Sequence, residues 1–343
     1  MPHKTFFWFI APSMIAMILL IAIPLGNVTY QSMFREHEKP LKEVQNCTVD
    51  FLTKKQKCIS SVLVDTEKLK EQKGIGEFIG LSLYGGYQLF AFEAIGREWE
   101  KRTNLGQFIG RVFNLPLYNA LIFTFAYTFL TTPIVLLLGF VVALTVNSIA
   151  RSIRGPVIFA SLLPMIITPL IGSLVLFWMI DGNGILGSAV QFLTGNPNLS
   201  LKASTPMMWT VLLIYGIWHS TPFAMIVFYA GLQTVPPDQI EAAMIDGGSR
   251  LHRIRYVVLP HLMPLIIFVT LIHLMDAFRV FEPIIGFHAE AHVKSISFLI
   301  YEHLVVQETP LWGTGSATSV LTVILVLILL TPVLIRTWRE FRR

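Results

Sequence analysis

His273, Asp276, Arg279 and Glu282 recur at three-residue steps along an otherwise apolar stretch. On a helix that spacing keeps them on one slowly drifting face. Ionisable groups at membrane depth are costly and normally face a pore or a partner. Two uses are open to them: hydrogen bonding to a polar solute, or an ion pair such as Asp276 with Arg279 or Arg279 with Glu282. A second polar group is the run Glu241-Ala242-Ala243-Met244-Ile245-Asp246-Gly247-Gly248, which closes on Leu259-Pro260. It lies between two long apolar segments and therefore at a membrane surface. Pro236-Pro237-Asp238 opens it, because proline fits the first helical position and an acidic first turn suits the helix dipole. Gly247-Gly248 ends the helix, since glycine tolerates the backbone angles of a tight turn. Arg250, His252, Arg253 and Arg255 make its second half basic. Its chemistry is docking; the plainer alternative is a surface helix of Glu and Ala, both good helix formers.

Cys47 and Cys58 form a third group, in one polar segment. In an oxidising compartment they could close a disulfide worth about 2–3 kcal/mol, with two free thiols as the other reading. Other chemistries find no support. Gly182-Asn183-Gly184-Ile185-Leu186-Gly187 lacks the lysine of a phosphate-binding loop. The serines and histidines of the apolar segments have no catalytic motif around them, so the chain is expected not to be an enzyme. No metal-ligand spacing is present. The formal charge of +5 comes without an aromatic-basic cluster, which argues against nucleic acid as a partner.

The elements that must hold these groups are membrane helices. Of 343 residues, 54% are hydrophobic and 14% charged, with a mean hydropathy of +0.63; soluble domains carry roughly 25% charged residues. Segments near 6–30, 117–146, 156–180, 207–232, 262–285 and 316–336 are each about the 20 residues that span a hydrocarbon core. Prolines interrupt most of them and predict kinks. The first is too long for a signal-peptide core and reads as a retained helix. The chain thus divides into a first span, 1–30, an insert, 31–116, and a core, 117–343, containing five spans and the polar loop 233–261. Lys4, Arg151, Arg154, Arg250, Arg253, Arg255 and the arginines of the tail fall on one side, against Lys202 and Lys294 in the short loops of the other. Positive charge marks the cytoplasmic side, so both termini and the Glu241 loop are expected there, and the insert outside.

Several motifs carry a resemblance to a known family. Phe9-Ile10-Ala11-Pro12-Ser13 with Ile23-Pro24-Leu25 resembles the first helix of permease subunits in carbohydrate ABC importers of the maltose type. Leu163-Pro164, Trp178 and Gly184-Ile185-Leu186 are similar to that family's third helix and following loop. The run from Ala230-Gly231-Leu232 through Glu241-Ala242-Ala243 and Asp246-Gly247 to Val257-Val258-Leu259-Pro260 resembles its cytoplasmic EAA loop. Val257 stands where isoleucine is usual, Gly248 where alanine is common, and Ile254 where an aromatic is frequent. The likeness covers about residues 1–35 and 115–343.

The resemblance implies an all-α polytopic fold, the type I ABC importer transmembrane domain, in the bacterial inner membrane. It implies that Glu241, Ala242, Ala243, Asp246, Gly247, Leu259 and Pro260 form a coupling helix and turn seated on a cytoplasmic ATPase. Partners implied are a second, similar permease, two ATPase copies carrying ATP and Mg, and a periplasmic solute-binding protein; this chain itself would hold no cofactor. By distance from the EAA glutamate, the solute path would include Ser220, Phe223, His273, Asp276, Ala277 and Val280. Ala277 and Val280 lack the polar groups of a disaccharide pocket. Arg279 on the same face keeps anionic solutes open, so an ABC permease for a non-sugar anion such as glycerol phosphate is an alternative. A proton-coupled secondary transporter working through His273 and Asp276 is a further one, disfavoured because no inverted repeat is visible.

Overall fold

The computed structural model describes residues 3–36, 41–49, 56–64, 76–102, 104–307 and 309–342. Five helices among them are long and apolar enough to cross a membrane: Phe6–Gln31, Pro116–Ser148, Thr205–Leu232, Arg250–Phe278 and Trp312–Arg339. A bent pair, Arg151–Ile166 and Pro169–Met179, is apolar enough to make a sixth when its two halves are taken as one span. Two differences from the sequence expectation have local causes. The segment expected at 156–180 is not continuous but turns by 92° between its halves. Thr168 precedes Pro169, and a residue before proline is pushed out of the α region; its ψ is 145°. The segment expected to run to 285 stops at Phe278, and a new short helix, Glu282–Gly286, begins with Pro283 in its first turn. Glu282 therefore leaves the face that carries His273 and Asp276.

Prolines also explain the wide π turns at Ile18–Ala22 and Ile254–Val258. Pro24 and Pro260 follow them and have no N–H to donate back along the helix. The ladder shifts by one residue instead, with Ile23 N bonded to Ile18 O and Leu259 N to Ile254 O.

The chain separates into two compact units, one of residues 1–100 and 300–320, the other of 101–299 and 321–343. In the first, the strands β1 (Phe34–Arg35), β2 (Leu41–Val49), β3 (Gln56–Val64) and β4 (Glu77–Phe78) pair antiparallel as β1 with β4 and β2 with β3. The β2–β3 register sets Cys47 opposite Cys58; the side chains of this candidate disulfide lie outside the described residues. Leu83, Leu89 and Ala317 form a small core there. Glu36 accepts from Thr314 N at 3.0 Å, and Gly313 packs so close to the Phe34 carbonyl that any side chain would collide with it. Among the described residues, none buries the most apolar part of the first span.

The second unit is built on the Pro116–Ser148 and Thr205–Leu232 helices, with Arg250–Phe278 packed against both. A Cβ on Gly139 would sit 2.5 Å from that of Ala224, so glycine lets the two backbones approach. Val135, Met225, Phe228, Leu262 and Val269 fill the junction. The hydroxyls of Thr124, Thr128, Thr131 and Thr132 each donate to the carbonyl four residues back, at 2.6–2.8 Å. That satisfies them inside an apolar bundle.

Candidate functional site

The polar loop folds as the sequence dictates. Pro237 starts a helix that runs to Ile245, with Asp238 in its first turn. Gly247 stops it at φ +76°, the left-handed region that favours glycine. Gly247 N donates to Met244 O at 3.0 Å and Gly248 N to Ala243 O at 2.9 Å, the paired bonds of a Schellman cap. Gly248 is needed as well, since a Cβ there would meet Ala243 O at 2.6 Å. Ser249 caps the next helix by accepting from His252 N at 3.3 Å.

The base of the loop is tied to neighbouring helix ends. Arg250 Nη2 donates to Ser148 Oγ at 3.1 Å, and Gln233 Nε2 to Asn147 Oδ1 at 2.9 Å. Arg154 Nη2 donates to the carbonyls of Asn147 and Ile149, at 3.1 and 3.2 Å. Thr234 gives its hydrogen to Gly231 O at 2.8 Å, so the 3.0 Å contact with His261 has Nε2–H as donor. The tip, in contrast, is left open. Glu241, Ala242, Asp246 and Gly247 are exposed, and Ile245 is 86% exposed. Ala243 and Leu259 are half-buried, and Pro260 is exposed. A rigidly mounted helix with an apolar and acidic outer face is suited to transmit force to a docked protein.

The residues proposed for the solute path separate into three groups. His273, Ala277 and Val280 are buried within the unit. Thr132 commits its only hydrogen to Thr128 O, so the 3.0 Å bond to His273 has Nδ1–H as donor and Thr132 Oγ1 as acceptor. Asp276 and Arg279 are exposed and joined by a salt bridge of 2.8 Å. Of the two ion pairs open on sequence grounds, this one forms. Ser220 and Phe223 are half-buried, the Phe223 ring lying 6.4 Å from that of Phe268. The structure thus brings Asp276 and Arg279 to an open surface and places His273 behind it.

Sequence reasoning expected kinks at the prolines of this segment but not a full break at Ile167–Thr168. An interrupted membrane helix frees carbonyls that must find donors, and exposed irregular backbone at this depth belongs against protein or a water-filled path, not lipid. Tyr215 donates to Pro169 O at 2.8 Å, joined by Ser173 Oγ at 2.7 Å. His219 Nε2 donates to Ile167 O at 3.1 Å. Both donors come from the Thr205–Leu232 helix. Ile167 and Thr168 themselves are exposed on this chain. The signal available in the sequence was Pro164 and Pro169 flanking Thr168, with Tyr215 and His219 one turn apart on an apolar helix. On the far side of the break, Gly286 packs against Ser173 with no room for a side chain.

Comparison with known proteins bears on this geometry. Residues 103–338 match the family described as binding-protein-dependent transport system inner membrane component. The chain is similar to the trehalose/maltose transport system permease protein MalF of Thermococcus litoralis, at 35% identity over 140 residues, 38% of this chain and 46% of that protein. It is similar also to the trehalose transport system permease protein SugA of Mycobacterium tuberculosis, at 31% identity over 206 residues, 60% of this chain and 64% of that one. The matched stretches span about half to just under two thirds of these relatives' length. Among solved structures, a bacterial ABC transporter involved in the import of the acidic polysaccharide alginate shares the fold, with a TM-score of 0.57, 18% identity, and coverage of 76% of this chain and 92% of that chain.

Proposed function

Because this chain belongs to the family of binding-protein-dependent transport system inner membrane components, we propose that it is a permease subunit of an ABC importer that carries a sugar into the cell. The observation that carries this reading is the loop at Glu241: a helix capped at Gly247, anchored through Arg250 and Gln233, with its acidic and apolar tip turned outward. Such an element receives force and does not generate it. ATP and Mg²⁺ would be held by two copies of a partner ATPase seated on this tip. A second permease of the same kind would complete the path, and a soluble binding protein would deliver the solute from outside.

The sugar assignment draws on the names of the relatives, which transport trehalose, maltose or arabinooligosaccharides. It draws also on the pairing of Arg279 with Asp276, which neutralises the cation that kept anionic solutes open. In this reading the six spans leave both termini and the Glu241 loop in the cytoplasm, and the insert, residues 31–116, outside. Closure of the ATPase pair would pull on the loop, and its ties to Ser148 and Asn147 would pass the motion to the helices flanking the path.

The test is reconstitution of the complete complex with its binding protein. ATP hydrolysis should rise with addition of the binding protein loaded with trehalose or maltose, and labelled sugar should accumulate in the vesicle. A complex that assembles and hydrolyses ATP but moves none of a panel of neutral sugars would reject the substrate class.

A further inference from the structure

A cleft of about 530 Å³ lies in the unit of residues 1–100 and 300–320, lined by Arg35, Ser82, Tyr87, Phe92, Glu93 and Arg97 among others. None of these residues serves the coupling loop or the solute path described above. The volume falls within the roughly 300–1,000 Å³ of small-molecule sites. Its two rings are exposed, Tyr87 by 57% and Phe92 by 63%. Phe92 is held in place: its ring stacks on Phe90 at 5.6 Å and 7°, and Gly85 packs beneath it, where a Cβ would come within 3.2 Å.

The wall between the rings is strained. Ala91 is buried and has φ +50°, a region that residues with a side chain rarely adopt. Its N–H is held by Gly86 O at 2.9 Å, while Phe90 N bonds Tyr84 O at 3.0 Å. Strain of this kind concentrates at ligand sites, where the surroundings impose it. Arg35 and Arg97 add two guanidinium groups that, among the described residues, form neither ion pair nor side-chain hydrogen bond.

We propose that this cleft is an outer saccharide-binding site, contacted by the sugar on the extracytoplasmic side of the permease; it rests on the importer reading and its topology. Each part of the lining matches a part of a sugar. Guanidinium forks donate paired hydrogen bonds to neighbouring hydroxyls. The Glu93 carboxylate accepts from hydroxyls, and the faces of Tyr87 and Phe92, which carry partial negative charge, pack on the C–H side of a pyranose. A simple anion would meet Glu93 as well as the two guanidinium groups and would gain nothing from the rings. A purely apolar ligand would strip water from three charged groups without return.

The experiment uses the full chain in lipid nanodiscs and saturation-transfer NMR with trehalose, maltose and arabinotriose. At least one sugar should show contact, and the Tyr87→Ala/Phe92→Ala pair and Arg97→Ala should each weaken it at least tenfold. Phe92→Tyr, which keeps the ring, should retain it and so exclude misfolding as the cause; Phe192→Ala, which removes an exposed ring in the other unit, should leave it unchanged. No contact with any of the three sugars, or contact indifferent to the cleft variants, would overturn the site. So would variants that keep sugar contact and instead lose capture of the binding protein, which would make the cleft a protein-docking surface. Uptake by the complete system separates the two levels: sugar uptake with an inert cleft sinks only this site, whereas no uptake of any sugar sinks the importer reading beneath it.

Discussion

The hydroxyl of Tyr215 donates to the carbonyl oxygen of Pro169 at 2.8 Å, tying the fourth span to the broken third one at its break. One turn further along, His219 does the same for Ile167 O at 3.1 Å. His219 replaces a donor that a continuous helix would have supplied, and Tyr215 braces the first turn of the second half, so the 92° turn is built into the resting fold. Under the importer reading, the helices on either side of the Glu241 loop would move against a corner that is already made.

Removing these donors should loosen the corner. Tyr215→Phe keeps the ring that packs edge-on to Phe287 at 5.4 Å but leaves Pro169 O with Ser173 alone. A loss of about 0.5–1.5 kcal/mol is expected for it and for His219→Ala, which removes the side-chain donor to Ile167 O. Because both act on one break, their double variant should fall short of the sum. Thermal unfolding of the purified protein in detergent reads this directly, and wild-type melting of both single variants would mean that something else holds the turn.

Glu241 makes the opposite prediction. It is exposed and makes no contact that the fold depends on, so Glu241→Arg should leave melting unchanged within about 0.5 kcal/mol. Binding-protein-stimulated ATP hydrolysis in the reconstituted complex should be lost. Gly247→Ala should cost about 1 kcal/mol locally, because alanine is strained at φ +76°. Stimulated hydrolysis that survives Glu241→Arg would remove this loop from coupling.

Much of this was legible in the sequence, and the reason is that it was local. Proline, glycine and acidic residues in order specify the Glu241 helix and its cap without outside help, and hydropathy alone finds the spans. The break and the fate of the ionisable residues were not legible in the same way. Whether His273 faces solute or Thr132 is decided by a residue 141 positions away, and three-residue spacing cannot distinguish the two. Glu282 was placed on the wrong element because Pro283, inside the span expected to run to 285, starts a new helix.

Asp276 and His273 should consequently behave differently. The Asp276–Arg279 pair is well exposed and so contributes only about 0.2–1 kcal/mol to stability. Asp276→Asn should alter the uptake Michaelis constant severalfold with melting unchanged. His273→Ala removes a buried ring and strands the acceptor of Thr132, and should destabilise by about 2–4 kcal/mol. Unaltered sugar uptake by the Asp276 variant would strike it from the path.

The loop after the third span gives a pH prediction. Lys202 Nζ donates to Asp181 at 2.8 Å and rests 3.5 Å above the Phe177 ring. That hydrogen bond, with a second from Asn183 N, holds the Asp181 carboxyl below the usual carboxylate range. A depressed value stabilises the folded form above the unfolded pKa of about 3.9 and loses that contribution as pH falls through the folded value. Amide exchange in residues 181–202, compared with the rest of the chain, should therefore stay flat from neutral pH to about 4 and rise only below it. Lys202→Gln should move the rise upward; an unmoved profile would detach it from this pair.

The β2–β3 register makes the last prediction the most direct. Cys47 and Cys58 are opposed in an antiparallel pair, where opposite Cα atoms lie about 4.5–5.5 Å apart, inside the span of about 4.4–6.8 Å that a disulfide bridges. A two-stranded hairpin by itself is marginal in water, so a cross-link closing so short a loop, worth about 2–3 kcal/mol, would decide whether it persists. If the hairpin lies outside the membrane, as the charge asymmetry implies, the bond should form. Protein isolated without reductant should then show no thiol reactive to maleimide even when unfolded, and a single cross-linked peptide in non-reducing mass spectrometry. Cys47→Ser, Cys58→Ser and the double variant should speed proteolysis of the hairpin equally, because each removes the same bond. Two titratable thiols per chain in freshly isolated protein would rule the disulfide out and would also weaken the placement of the hairpin in an oxidising compartment.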